Sequence, residues 1–301
     1  EQHSGTSGLS DLLSYFGGLT SPVCGIFHVW EEGELKQLPL SQCRVKAVNP
    51  LSQGPAELLP DMICTGLTHE MARKEAGLAG LEAYVSQMSG LLLDSTSLRE
   101  NIEPHESVGI GAGESFAEAV CRGLQKCLSV ELCNREANGY GSPSVRVVHI
   151  HAVKDEQCAF YLQALAAIQG DLVIGLGEEI YGFPVVWVGS GEQWIGAAGL
   201  NTALALRNAL QESLKKAQNE TDVSVTQALE AASVHLEAGA WNRLVIPACN
   251  DTEQPEVLKS ALQILKRNDK RLIVVDLSTE PFMKERLAGV FGVFVRGGDL
   301  G

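Results

Sequence analysis

Arg73, Arg122 and Arg207 are the side chains best suited to grip an anion, because a guanidinium presents a planar fork of donors to a phosphate or a peptide carboxylate. Solvation is the ordinary state of an arginine, so their surroundings have to justify more. All three fall near helix-like stretches that share a small-residue pattern, beginning at Gly66, at Gly113 and near Gly199. Ala72, Ala119 and Ala205 align, as do Ala76, Gly123 and Ala209 one turn later. Small residues four apart share a helix face and let backbones approach closely. Further along, the aligned positions carry acid, base and alanine mixed.

Other groups invite chemistry less strongly. The step Gly109-Ile110-Gly111-Ala112-Gly113 precedes a helix, where backbone N–H groups and the helix dipole can hold phosphate. It lacks the Lys-Ser/Thr end of a P-loop and the GxGxxG spacing, so close strand-to-helix packing is the simpler reading. Ser115 with Glu118 makes a capping box, and no GxSxG surrounds it. The eight cysteines include no CxxC pair, and Cys121, Cys127 and Cys133, six apart, rotate around a helix rather than cluster. They read as buried thiols of a cytoplasmic protein. His149 and His151 share one side of a strand and offer two metal ligands at best; His28, His69 and His235 are scattered.

The elements that must position these residues come from a chain of 301 residues, 45% hydrophobic, enough for a proper core. A formal charge of -14 argues against nucleic acid or an anionic membrane as the main partner, though it permits a local basic pocket. No apolar run approaches the roughly 20 residues that span a bilayer. Neither a positive n-region nor an h-region opens the chain, so no signal peptide is expected and a cytoplasmic location is. Both ends lack tail-like composition, as an excised piece of a longer protein would.

Residues 1–12, rich in Gly and Ser, are expected to be a flexible segment, and residues 13–301 one intertwined α/β domain. Gly25–Trp30 and Leu35–Leu38 read as a hairpin across an acidic turn, with Arg44–Val48 and Met62–Thr65 as further strands. The first helix starts after Gly66, capped by Thr68. Leu91–Glu103 is ambiguous. Ser144–Ile150 alternates as a strand, Glu156–Gln169 reads as a helix, and Ile180–Val188 as a strand. Gln193–Ala198 leads to the third helix, Thr226–Ala238 reads as a helix ended by Gly239, and Leu244–Ala248 as a strand. Pro255–Lys266 is a helix, Arg271–Leu277 a strand buried on both faces, and Gly289–Arg296 the last strand.

In this order the motifs resemble the YcaO family, whose members include ATP-dependent cyclodehydratases acting on peptide backbones. The resemblance rests on Gly66-Leu67-Thr68 with Glu70-Met71-Ala72-Arg73, on Gly111 to Ala119 with Gly123-Leu124, on Ala205 to Glu212, and on Val274 to Ser278 followed by Val293-Phe294-Val295. It implies a mixed α+β, YcaO-like domain with three imperfect strand, glycine-step, helix repeats. It also implies glutamates and a glutamine on those helices that hold magnesium and the ATP phosphates. Carried over, the family's SxxxExxER motif falls on Glu75, Ala79, Glu82 and Ala83. The second helix offers Lys126, Ser129, Val130 and Glu131, and the third keeps Glu212 but has Lys215 in place of the glutamine. Only two oxygen ligands remain at six aligned places.

Two expectations follow from the resemblance. If the ATP and Mg²⁺ site survives, Glu75, Glu82, Glu131, Glu212, Arg73 and Arg207 are its binding residues. Otherwise Glu82, Lys126, Glu212 and Lys215 form an ion-pair network where the metal would sit, no cofactor is expected, and the chain is a pseudoenzyme. The setting implied is azole or bacteriocin maturation, as in thiazole/oxazole-modified microcins, with a ThiF-like, E1-related partner or fused domain, a precursor peptide and a homo-oligomer as partners.

Overall fold

A computed structural model describes residues 4–94, 107–138, 142–190, 193–219, 228–237, 242–249 and 254–298. Its contacts fall into two compact units, one of residues 1–123 with 274–294 and the other of residues 124–273 with 295–301. Each takes two separate pieces of chain, which is why no shift in composition marks a division.

The first unit begins with α1 (Ser4–Gly18), where the Gly/Ser composition predicts a flexible segment. Packing overrides that propensity. Leu12 and Phe16, one turn apart, are 1% and 0% exposed, and the Phe16 ring lies where a Cβ on Gly77 would come within 2.3 Å. β1 (Phe27–Glu31), β2 (Ser41–Ala47) and β3 (Met62–Gly66) form an antiparallel sheet, with Trp30 opposite Val45 and Cys43 opposite Cys64. The partner of β1 is therefore β2, not the expected segment 35–38. There Leu38 is 83% exposed and Pro39, which has no N–H, offers nothing to a ladder. The long α2 (His69–Asp94) lies on this sheet through small residues: a Cβ on Gly80 would sit 2.6 Å from the Phe27 ring. The rest of the ambiguous Leu91–Glu103 stretch, from residue 95, lies outside the described residues. β4 (Gly109–Gly113), buried throughout, leads into α3 (Phe116–Asn138).

In the second unit β5 (Ser144–Val153) is followed by α4 (Glu156–Gln169), β6 (Leu172–Leu176), β7 (Val185–Ser190), β8 (Gln193–Ala198) and α5 (Thr202–Gln218). β7 starts later than the expected 180, because Tyr181 and Gly182 turn at φ of 54° and 84° and Pro184 lacks an N–H. Antiparallel pairing runs from β5 through β8, with Trp187 opposite Gly196 so that the ring covers the space a Cβ would fill. The expected helix over Thr226–Ala238 is corrected within its described part: β9 (Leu229–Ala231) extends the sheet beside β8, and β10 (His235–Leu236) pairs with β5. Ladder bonds at both sheet edges outweigh a short helical pattern. Gly239, its expected cap, is outside the described residues. β11 (Asn242–Ile246) also runs parallel to β5, and α6 (Gln254–Arg267) follows.

β12 (Lys270–Asp276) and β13 (Gly289–Gly297) join β4 in a third sheet of order β12-β13-β4. β12 was expected to be buried on both faces, but as an edge strand it buries Val275 and exposes Arg271 and Asp276.

The small-residue pattern now has a geometric cause. A Cβ built on Gly66, Gly113 or Gly199 would lie 2.6, 2.7 and 2.1 Å from the backbone N of Ala72, Ala119 and Ala205, six residues on in each case. Those same nitrogens donate to the carbonyls of Thr68, Ser115 and Asn201. The side chains of these three residues accept from the N–H three positions later, at 3.2, 3.1 and 2.9 Å. Each chain segment leaves its strand, turns under a cap and packs its first helical turn against the glycine it has just passed, where only a hydrogen fits. At Ser115 the cap is reciprocal, with Glu118 accepting from the Glu114 N–H at 2.8 Å.

Candidate functional site

Counting from the aligned alanines, the third position carries Glu75, Arg122 and Asn208, and the tenth Glu82, Ser129 and Lys215. In the first unit the third and tenth positions meet. Arg122 donates from Nη1 to Glu75 at 2.6 Å and from Nε and Nη2 to the two oxygens of Glu82 at 2.8 and 3.3 Å. The Ala112 N–H of β4 adds a bond of 2.9 Å to Glu82 Oε1. Glu82 has a fully buried side chain, Arg122 is 17% exposed and Glu75 38%. Burial opposes the charge on Arg122, but the two carboxylates more than offset it and hold the guanidinium charged. One turn earlier the signs reverse: Lys74 lies 2.7 Å from Glu114 and 3.0 Å from Glu118, and it too is held charged against the opposing effect of burial.

The second unit has its own buried pairs. Lys215 Nζ bonds Glu212 at 2.7 Å with both side chains nearly inaccessible. Arg207, which solvation would have left exposed, donates 2.6 Å to Asp155, and these side chains are 7% and 2% exposed. Asp155 caps α4 by accepting from Cys158 N at 2.8 Å, and it also accepts from Cys249 N at 3.2 Å. Burial pushes its carboxyl up, whereas the Cys158 amide and Arg207 together bring it below the usual carboxylate range. Asp155 was missed in the sequence, although its place just before Glu156 is where an N-cap belongs.

Of the six residues expected at a nucleotide site, Glu75 and Glu82 come together. Arg73 instead stacks 4.1 Å over the Trp30 ring and faces Glu32 at 3.9 Å. Glu131 pairs with Arg135 at 3.2 Å, Glu212 with Lys215, and Arg207 with Asp155. Of the four residues expected to form one network, Glu212 and Lys215 bond directly, Glu82 finds its cation in Arg122, and Lys126 is half-buried on α3. Each of the four acids thus already has a protein cation on at least one carboxylate oxygen, and Glu82 has one on both. Among the described residues no group of three or more His, Cys, Asp or Glu side chains is arranged to hold a metal.

The cysteines form no disulfide. Burial pushes Cys43 and Cys121 up to about 12 and Cys158 up as well, so at neutral pH these three are thiols, not nucleophilic thiolates. No described helix is long and apolar enough to cross a membrane.

The mixed α+β architecture resembles the YcaO-like fold. No family model matches the chain, and no curated protein matches its sequence. Among solved structures it is similar to a heterocyclase in complex with substrate and cofactor, at a TM-score of 0.60 and 13% identity, over 95% of this chain and 52% of that one. It is also similar to YcaO from Methanopyrus kandleri bound with AMPPCP and Mg²⁺, at a TM-score of 0.50 and 14% identity, over 89% of this chain and 83% of that one. At these identities the likeness establishes the fold, and the chain spans about half the length of the heterocyclase.

Proposed function

We propose that the chain is a YcaO-like unit of a system that matures ribosomally made peptides. The observation that carries this reading is the fold likeness over 89 to 95% of the chain to a heterocyclase and to YcaO, each solved with its ligands. Those neighbours favour the active form, an ATP- and Mg²⁺-dependent cyclodehydratase that closes azoline rings. In that reaction a Cys, Ser or Thr side chain of the peptide adds to the preceding amide carbon. ATP phosphorylates the amide oxygen, which then departs as phosphate, so one ATP is consumed for each ring formed. Nothing in that sequence is assigned to Glu75, Glu82 or Glu212, each of which pairs with Arg122 or Lys215.

Those same pairs favour a second form, a degenerate unit that contributes assembly or precursor binding without ATP chemistry. A ThiF-like, E1-related partner or fused domain and a precursor peptide belong to either form. Calorimetric titration with ATP and Mg²⁺ separates the two. Micromolar, magnesium-dependent binding supports the active form, and its loss in Glu82→Gln and Glu212→Gln would bring these acids back into the site. No heat with nucleotide, together with retained binding of a precursor peptide, supports the degenerate form. Absence of both would sink the peptide-maturation reading.

A further inference from the structure

We propose that Arg122 is a resident counter-cation that stands in for a divalent metal ion between α2 and α3, making the Glu75 and Glu82 pair independent of metal. Glu75 and Glu82 lie seven residues apart, two turns along one face of α2. Both reach the same guanidinium, at 2.6 and 2.8 Å. Two carboxylates brought this close repel one another unless a cation lies between them, and the fully buried Glu82 has no solvent to substitute for one. A magnesium or manganese ion would need the carboxylate oxygens at roughly 2.0–2.1 Å with water completing its shell. The guanidinium lies against both acids, supplies one positive charge, and satisfies Glu82 through two nitrogens.

The placement follows from the repeat. Three residues after the aligned alanine, the first helix has Glu75 and the second has Arg122, so equivalent positions carry opposite charges that meet. Had the second helix carried an acid there as well, the joint would hold three carboxylates and require an external ion. With arginine the ion is built into the chain. The stand-in role of Arg122 concerns the joint without nucleotide and does not rest on which form of the proposed function holds, except that magnesium-dependent nucleotide binding lost in Glu82→Gln would overturn it.

The test is thermal unfolding of the whole chain, without nucleotide, in the presence and absence of about 5 mM Mn²⁺, a concentration above the weak end of carboxylate-site affinities. Wild type should shift by less than about 1 °C. Arg122→Ala should lose roughly 10 °C from the uncompensated acids, and Mn²⁺ should restore at least half of this. The double variant Arg122→Ala/Glu75→Gln should not respond to Mn²⁺, which assigns the rescue to this pair. Equal stabilisation of wild type, or no rescue of Arg122→Ala, overturns the proposal. If Arg122→Ala does not fold without metal, refolding yield with and without Mn²⁺ decides: metal-dependent recovery supports the proposal and metal-independent failure overturns it. Failure of the nucleotide titration leaves this result untouched, so the two readings fail separately.

Discussion

Replacing Asp155 with alanine removes three bonds at once and should be among the most damaging single changes in the second unit. The carboxylate caps α4 through Cys158 N and neutralises Arg207, whose side chain is only 7% exposed. Loss of a cap costs about 1 kcal/mol. Stranding the buried guanidinium costs about 3–5 kcal/mol. The two effects share one side chain and overlap, so a total of about 4 kcal/mol is expected. Urea unfolding followed by tryptophan fluorescence reads this directly, since Trp187 is buried in the same unit. The double variant Asp155→Ala/Arg207→Met removes the charge left behind, and apolar replacement of a buried pair is often close to neutral. It should therefore unfold within about 1.5 kcal/mol of wild type, recovering roughly 2–3 kcal/mol of what Asp155→Ala loses. A cost below about 1 kcal/mol for Asp155→Ala, or a double variant as unstable as the two single changes added, would refute the reasoning and free Arg207 for a ligand.

The same carboxylate sets a pH dependence. Its folded pKa is depressed, so its stabilisation is fully present above the unfolded value of about 3.9 and is lost as pH falls through the folded value. Acid unfolding of wild type should steepen below about pH 4, and Asp155→Asn should show a shallower acid limb. At the second cap, Ser115→Ala should cost about 1 kcal/mol and Ser115→Gly only a few tenths, read as the denaturant midpoint. Equal losses would mean that the bond to Glu118 N contributes nothing. Gly77→Ala should force the Phe16 ring off α2, at a cost of about 1–3 kcal/mol and with faster proteolysis within α1. Unchanged stability and cleavage would show that α1 does not need this close approach.

What the sequence made legible were the features written in neighbouring residues. Thr68 and Ser115 as caps, Glu156–Gln169 as a helix and the in-register alanines all depend on contacts within six positions, and each is found where expected. The misses share a different origin. α1 is a helix because Leu12 and Phe16 find a core, and residues 229–236 are strands because two sheet edges await them; neither reason lies nearby in sequence. Site chemistry was obscured in the same way. Arg122 is 40 and 47 residues from its acids, and Arg207 is 52 from Asp155, so charge type was readable while the choice of partner was not.

That choice of partner in turn explains why acid and base alternate between α2 and α3. Lys74 faces Glu118, while Glu75 and Glu82 face Arg122, so each helix presents both signs in reverse order. A slip of α3 by one turn would carry Arg122 to where Glu118 now sits, against Lys74, and leave Glu82 buried without a cation. The apolar and small residues of the seam tolerate such a slip far better than the charges do, since alanines and glycines recur at the same four-residue spacing. Buried ion pairs contribute little net stability, but a mismatched pair is costly, which makes them effective at rejecting wrong registers. The mixture of acid, base and alanine that obscures a common purpose along the sequence is, between these two helices, what fixes how they meet.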